Sequence, residues 1–275
     1  MPQELFVIHG GLYPQRLLLY LSEKRLLNSP DLKITTCTMS GLKMVAPGKP
    51  PGTLPILVTG PDEHIKQSIA IMEYFEDVCD NPESRFQQAA PSMRGKTPEE
   101  RARTREIVLL AEEATTYFST AAHKGNAMFA LMEEQDPKSS RLAMESCRKT
   151  LKVLEEYYQD DRRFEGPKNT TDSEGSGVTI GDCVLFSLLQ FSKRFYERDL
   201  VEKLHNLRKF YEGFAERESA QVKEEVYPDD TRALASHWIP ESESLPQKLK
   251  EGLKVTGLYL SVCGSLVVRL VGWKK

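Results

Sequence analysis

No Cys-x-x-Cys pair occurs in these 275 residues, and the five cysteines, Cys37, Cys79, Cys147, Cys183 and Cys263, are odd in number and widely spread. A disulfide framework is therefore not expected. With no secretory signal at the start of the sequence, a reducing, cytoplasmic compartment is. The thiols read as small apolar packing groups, and no metal site is expected. Basic residues number 37 against 40 acidic ones, a net charge of −3 with no basic block, which makes nucleic acid and anionic membrane poor partners. No apolar run reaches the ~20 residues that span a bilayer. The longest, 257–273, is interrupted by Ser261, Ser265 and Arg269. It reads as a tail packed on the protein or a tail without order, and a membrane anchor ranks last.

What is present is a soluble globular composition, 40% hydrophobic and 28% charged, in a chain long enough for two domains. The first 80 residues alternate strand and helix signals. Residues 4–8 form an apolar strand, and Gly10-Gly11 makes a turn. Pro14 then opens a helix expected to run to about Leu27, because proline is tolerated where the helix has no use for its N–H. A second strand covers 32–36. Residues 41–52, with Pro47, Pro50 and Pro51, are expected to be loop throughout. A short strand broken by Pro55 follows, then a strand or hairpin near Val58 and a helix over about 66–78.

Residues 81–97, rich in Pro, Ser, Gln and Asn, read as a linker. Thr97-Pro98-Glu99-Glu100 supplies a cap, a proline at the first helical position and acidic first-turn residues. Ile107, Leu110, Ala111, Ala114, Tyr117, Phe118 and Ala121 then recur at the helical period. A second helix is expected over 140–158, with Cys147, Leu151, Leu154 and Tyr158 on one face. Residues 169–177 read as a flexible loop. Thr179-Ile180-Gly181-Asp182 is a capping box opening an apolar helix, with Val178 and Cys183 placed as a staple across it. The expected fold is α/β plus all-α: a domain over 1–80, a linker over 81–97, a helical bundle over 98–240 and a tail over 241–275.

One segment says more than these. Gly52-Thr53-Leu54-Pro55-Ile56-Leu57-Val58 is an apolar strand carrying a proline, which marks an edge, a bulge or a strand's first residue. It is a natural place for a cis bond. Gln67-Ser68 then opens a helix whose free N–H groups attract an anion. An edge strand and an anion site this close suit a small peptide with a carboxylate.

This arrangement resembles the glutathione site of the cytosolic glutathione transferases, whose thioredoxin-like domain carries a cis-proline strand and a Glu/Gln-Ser pair in this order. The family's S/T-x-x-D box, which starts a buried helix of its second domain, is matched about 110 residues further on, at Thr179. The resemblance implies an N-terminal thioredoxin-like domain, a C-terminal helical bundle and glutathione as the bound cofactor. Leu54 would pair its backbone with the cysteinyl residue, next to Pro55. Gln67 and Ser68 would hold the γ-glutamyl end, and Lys49, or less readily Lys43, the glycyl carboxylate. A homodimer is expected.

The thiol-activating residue departs from the family. Its usual serine position falls near Leu12 in Gly11-Leu12-Tyr13-Pro14-Gln15-Arg16, and no cysteine is there. The segment is similar to an atypical fungal branch that lacks the usual hydroxyl and is thought to use a helix terminus and a water. Tyr13 is the first candidate for a direct hydroxyl contact, and His123 for holding the water. Tyr117 and Phe118, with Phe129, would wall the site of a small hydrophobic electrophile, although for the helix-stripe aromatics a core role is the other reading. The leading expectation is a glutathione transferase that conjugates its electrophile. Alternatives are a glutathione-dependent cis–trans isomerase of a conjugated alkene in fungal secondary metabolism, and a catalytically silent binding or regulatory protein, which Leu12 favours.

Overall fold

The computed structural model describes residues 2–40, 43–130, 132–164, 177–221 and 229–241. The expected loop over 169–177, save Gly177, and the tail beyond Glu241 lie outside these residues.

Strand β1 (Gln3–Val7) leads into helix α1 (Leu12–Glu23), which returns the chain to β2 (Leu32–Thr36), parallel to β1. A parallel pair needs such a crossover, and α1 supplies it. α1 ends four residues before the expected Leu27. Arg25 adopts φ 63, a left-handed conformation that cannot continue the helix. The stretch expected to be loop also holds more order than its prolines suggest. Lys43–Val45 is a strand, β4, paired antiparallel with β3 (Thr38–Ser40) through Met39 and Met44. All three prolines fall after it, so nothing in 43–45 prevents the hairpin.

β5 (Ile56–Gly60) and β6 (Glu63–Lys66) complete a sheet of order β2-β1-β5-β6. The expectation of an edge strand at Pro55 is overturned, because β5 pairs with β1 on one side and β6 on the other. Pro55 is accommodated because it precedes the first laddered residue, Ile56. Helix α2 (Ser68–Asp80) starts two residues later than expected, since β6 keeps Lys66 paired with Ile56.

The helical half contains α3 (Pro98–Gly125), α4 (Pro137–Tyr157), α5 (Ile180–Phe195), α6 (His205–Ala215) and α7 (Asp229–Ser236). α4 begins three residues before the expected Ser140 because Asp136 caps it, accepting from the N–H of Lys138 and Ser139 at 3.1 Å each. α5 is buried almost all round from Ile180 to Gln190, as befits the central helix of a bundle. Close packing of α3 on α5 and on α4 is set by small residues. A Cβ on Gly181 would stand 2.8 Å from the Ile107 side chain of α3, and one on Gly125 would stand 2.1 Å from the Ser140 hydroxyl of α4.

The expected capping box forms at Thr179/Asp182, and the expected cap at Thr97 also proves to be a box, closed by Glu100. The Thr179/Asp182 box is extended. Fully buried Asp182 accepts from the Thr179 N–H at 2.7 Å, from the Tyr158 hydroxyl at 2.8 Å and from Arg163 Nη1 at 2.7 Å.

α1 joins the two halves. Leu17 and Leu21 lie in one apolar core with Phe75 of α2 and Leu185 of α5. Its first turn meets α3 through Arg16, which donates to Glu112. Its last residue, Glu23, accepts from Arg217 Nε at 2.8 Å and Nη2 at 2.7 Å, and this pair is nearly buried. Beneath α1, Glu76 anchors the connecting segment. It takes the Lys24 ammonium at 2.9 Å and the Tyr20 hydroxyl at 2.8 Å on one oxygen, and the Ser92 hydroxyl at 2.8 Å and the Met93 N–H at 2.9 Å on the other.

Candidate active site

Sheet register gathers the expected site at one end of the sheet. Phe6 pairs with Ile56 and Ile56 with Lys66, so the chain leaving β1, the chain entering β5 and the chain leaving β6 lie side by side. The first leads to α1, the second comes from Leu54-Pro55, and the third continues into Gln67-Ser68. The Leu54–Pro55 bond is cis. Since pairing starts at Ile56, the Leu54 backbone stands outside the ladder while its side chain is buried against Phe6, Cys37 and Ile56.

Gln67 caps α2 with φ 74. A non-glycine residue in that region costs about 1–3 kcal/mol and persists where the surroundings impose it, most often at functional sites. Its side chain is exposed, and Ser68, the first residue of α2, is buried. Together they mark a helix N-terminus with free N–H groups turned to the same end of the sheet.

Two ammonium groups meet near Gly52, two residues before Leu54. Lys49 Nζ donates to the carbonyls of Pro50 at 3.0 Å and Gly52 at 2.9 Å. Lys66 Nζ lies 3.1 Å from where a Gly52 Cβ would be. Among the described residues neither lysine forms an ion pair. Lys66 escaped the sequence reading because only the β5–β6 register carries it to Gly52. Lys43, by contrast, is exposed on β4.

On the α1 side, Leu12 is the first helical residue, 8% exposed, with Gly11 as its cap. Tyr13 follows, 41% exposed, its ring under the Arg16 guanidinium at 4.7 Å. Arg16 itself is wholly buried. Among the described residues its Nε and Nη2 have no hydrogen-bond partner, so Glu112 alone answers its charge. Glu112, partly open to solvent in the middle of α3, is a second residue that sequence reasoning missed.

The structure does not bring Tyr13 and His123 together. His123 lies eleven residues beyond Glu112, about 16 Å along the helix at 1.5 Å per residue. Its Nδ1 meets Glu133 at 2.5 Å and its ring stacks on Phe129 at 3.8 Å. The His123 and Lys124 contacts hold the Glu133 carboxyl below its ordinary range. Tyr117 is half-buried against the core. Phe118, expected on a pocket wall, is 1% exposed and packs on Tyr196 and Trp238 at ring separations of 5.4 and 6.2 Å, so its ring belongs to the core.

Burial decides the thiols. Cys147 is pushed up to about 12 and half-buried Cys79 to about 11, chiefly by loss of solvent. Neither is a nucleophile at neutral pH. Among the described residues no group of three His, Cys, Asp or Glu side chains comes together to hold a metal, and no helix is long and apolar enough to cross a membrane.

A four-stranded mixed sheet with a cis-proline loop beside a helix N-terminus, followed by a helical bundle with a capped buried helix, is the glutathione S-transferase fold. Residues 122–224 match the family model of the glutathione S-transferase C-terminal domain. Solved structures agree over most of the chain. A glutathione S-transferase of Methylobacillus flagellatus KT with GSH bound is 16% identical and superposes with a TM-score of 0.58, covering 82% of this chain and 99% of its own. A glutathione S-transferase domain-containing protein of Marinobacter aquaeolei VT8 is 21% identical with a TM-score of 0.56, covering 79% of this chain and 100% of its own. The glutathione S-transferase of Methylobacterium radiotolerans JCM 2831, in complex with glutathione sulfonate, is 16% identical with a TM-score of 0.56, covering 80% and 93%. At these identities the likeness is one of fold. No curated protein matches the sequence.

Proposed function

We propose that this protein binds glutathione at the end of the sheet where the cis Leu54–Pro55 bond and the α2 N-terminus meet, and holds its thiol as the thiolate for attack on a small hydrophobic electrophile. The observation that carries this reading is the left-handed Gln67 beside that cis bond. Leu54 offers backbone groups outside the ladder to an extended peptide, Gln67 and Ser68 offer the helix N-terminus to its α-carboxylate, and Lys49 and Lys66 offer charge to the other carboxylate. The fold-mates crystallised with GSH and with glutathione sulfonate support the choice of ligand.

A free cysteinyl thiol titrates near ~8.5, so activation requires stabilising its anion. The α1 N-terminus supplies positive potential, and Tyr13, exposed in its first turn, is the first candidate hydroxyl donor. The water-holding role read for His123 is not part of this proposal, since its imidazole meets Glu133 and stacks on Phe129. Conjugation is the reaction proposed, and isomerisation of a conjugated alkene needs the same thiolate. Leu12, an apolar side chain where the family has a hydroxyl, favours a second reading in which glutathione binds without turnover.

Exposed Leu109 of α3 and Val153 of α4 support a homodimer through these helices, which analytical ultracentrifugation tests. A cytoplasmic setting completes the proposal, consistent with the four cysteines among the described residues being unbridged.

Calorimetric titration with glutathione, followed by turnover of 1-chloro-2,4-dinitrobenzene, tests the reading. Ser68→Ala should weaken glutathione binding by about tenfold, the loss of one charge-assisted hydrogen bond. Absence of binding by the wild-type chain overturns the proposal. Binding without turnover of this electrophile leaves the isomerase and the silent-binding readings.

A further inference from the structure

A sizeable opening lies not at the sheet end but at the opposite end of α1. It is a cleft of about 740 Å³ under residues 90–96, closed by the start of α3 and the start of α5. Glu23, the last residue of α1, reaches it. It therefore lies some 16 Å along α1 from Leu12, at 1.5 Å per residue. Its volume falls in the ~300–1,000 Å³ range of small-molecule sites.

The walls select against a charged occupant. Met93, Ile107 and Val178 contribute apolar surface. Lys96, Arg103 and Arg163 are matched in number by Glu23, Glu99 and Glu100, so the ionised side chains cancel. Most also have partners: Arg163 is held by Asp161 and Asp182, Arg103 by Glu106 at 3.2 Å, and Glu23 by Arg217. Two helix N-termini open here, and such ends ordinarily attract anions. Both are already served by the protein's own carboxylates, Glu100 on α3 and Asp182 on α5. Those carboxylates would repel a second anion.

We propose that this cleft is a second binding site, separate from the sheet-end site, for an uncharged, largely apolar small molecule that hydrogen-bonds at its edges. At the rim the Arg103 guanidinium carbon lies over the Tyr157 ring, 4.4 Å from its centroid, so its charge is already engaged.

The test uses the full chain and two neutral probes. Nile red should bind with rising fluorescence and keep its affinity in saturating glutathione. Benzophenone, irradiated in the presence of the protein, should label the peptide carrying Met93. Pro91→Trp sets an indole at the exposed rim while keeping the carbonyl that Lys24 bonds at 3.2 Å. It should weaken Nile red at least tenfold with an unchanged melting temperature. Three results overturn the proposal: labelling confined to peptides around 54–68 or 117–129, Nile red affinity unaffected by Pro91→Trp, or Nile red binding only after the residues from Ser244 onward are removed. The last would mean that the apolar 257–273 segment fills the cleft. None of the three overturning results depends on glutathione binding.

Discussion

Replacing Glu76 with glutamine is the most informative single perturbation of this fold. The carboxylate is wholly buried, and each of its oxygens accepts two donors: Lys24 and Tyr20 on one, Ser92 and the Met93 N–H on the other. Glutamine has the same shape but one acceptor oxygen, so its NH₂ must face two donors whichever way it turns. The Tyr20 and Ser92 hydroxyls can rotate to accept; the Lys24 ammonium and the Met93 N–H cannot. If the NH₂ faces Lys24, a 1%-exposed cation keeps only the Pro91 carbonyl, 3.2 Å away. Removing one partner of a buried pair costs about 3–5 kcal/mol. For a chain of this size 1 kcal/mol moves Tm by about 2–4 °C, so Glu76→Gln should melt roughly 6–20 °C lower. Differential scanning fluorimetry measures this, and trypsin should cut the 81–97 segment faster in the variant. Adding Lys24→Met should recover part of the loss, because the stranded charge is gone. A Tm within about 2 °C of wild type, under 1 kcal/mol, would refute the argument that this carboxylate pins the connection between the domains.

Asp182→Ala removes the capping box together with the buried bonds from Tyr158 and Arg163. It should cost about 3–5 kcal/mol in urea unfolding, against about 1 kcal/mol for Thr179→Ala, a cap alone. Equal losses would show that the side-chain bonds to Asp182 are worth nothing. Stability should fall at both ends of the pH range. Glu100, bonded by the N–H groups of Lys96 and Thr97, and Glu133, bonded by His123 and Lys124, are held below the ordinary 4.5. Their contribution is whole above that value and is lost as pH drops through their lower folded values. Burial, with Glu76 and Asp182 alongside, raises Tyr20 and Tyr158 above 10, so their contribution is whole below pH 10 and is lost as pH climbs past it. A Tm profile flat at either end contradicts these assignments. Tyr13→Phe should raise the pKa of bound glutathione thiol, followed by thiolate absorbance, by about one unit, some 1.4 kcal/mol. His123→Ala should leave it unmoved, and a one-unit rise there instead would restore the water-holding role.

Features set by neighbours in the chain were readable beforehand. Strand β2 falls on 32–36, the threonine caps at Thr97 and Thr179 form, and the bond before Pro55 is cis, because each depends on residue types within a few positions of one another. What escaped depends on register or on distant packing. Lys66 reaches Gly52 only through the β5–β6 pairing. Arg16 and Glu112, Lys24 and Glu76, and Glu23 and Arg217 meet across 96, 52 and 194 positions, and no periodicity announces such pairs. The β3–β4 hairpin was hidden by the prolines that follow it, whereas Phe118 lies in the core as its place on the helical stripe suggests.

Helix α1 is owned twice. By connectivity it is the crossover of the sheet, yet its first turn is tied to Glu112 and its last residue to Arg217, with its leucines in the same core as α5. Cutting the gene at the proline-rich connection would therefore not release a module. The N-terminal piece would carry a stranded arginine, a glutamate without its Arg217 partner and an open leucine face. For the same reason, recombining this N-terminal half with another protein's bundle should succeed only where the new partner supplies an acid opposite Arg16 and a cation opposite Glu23. The two halves are inherited as a lock and its fitted key, not as interchangeable parts.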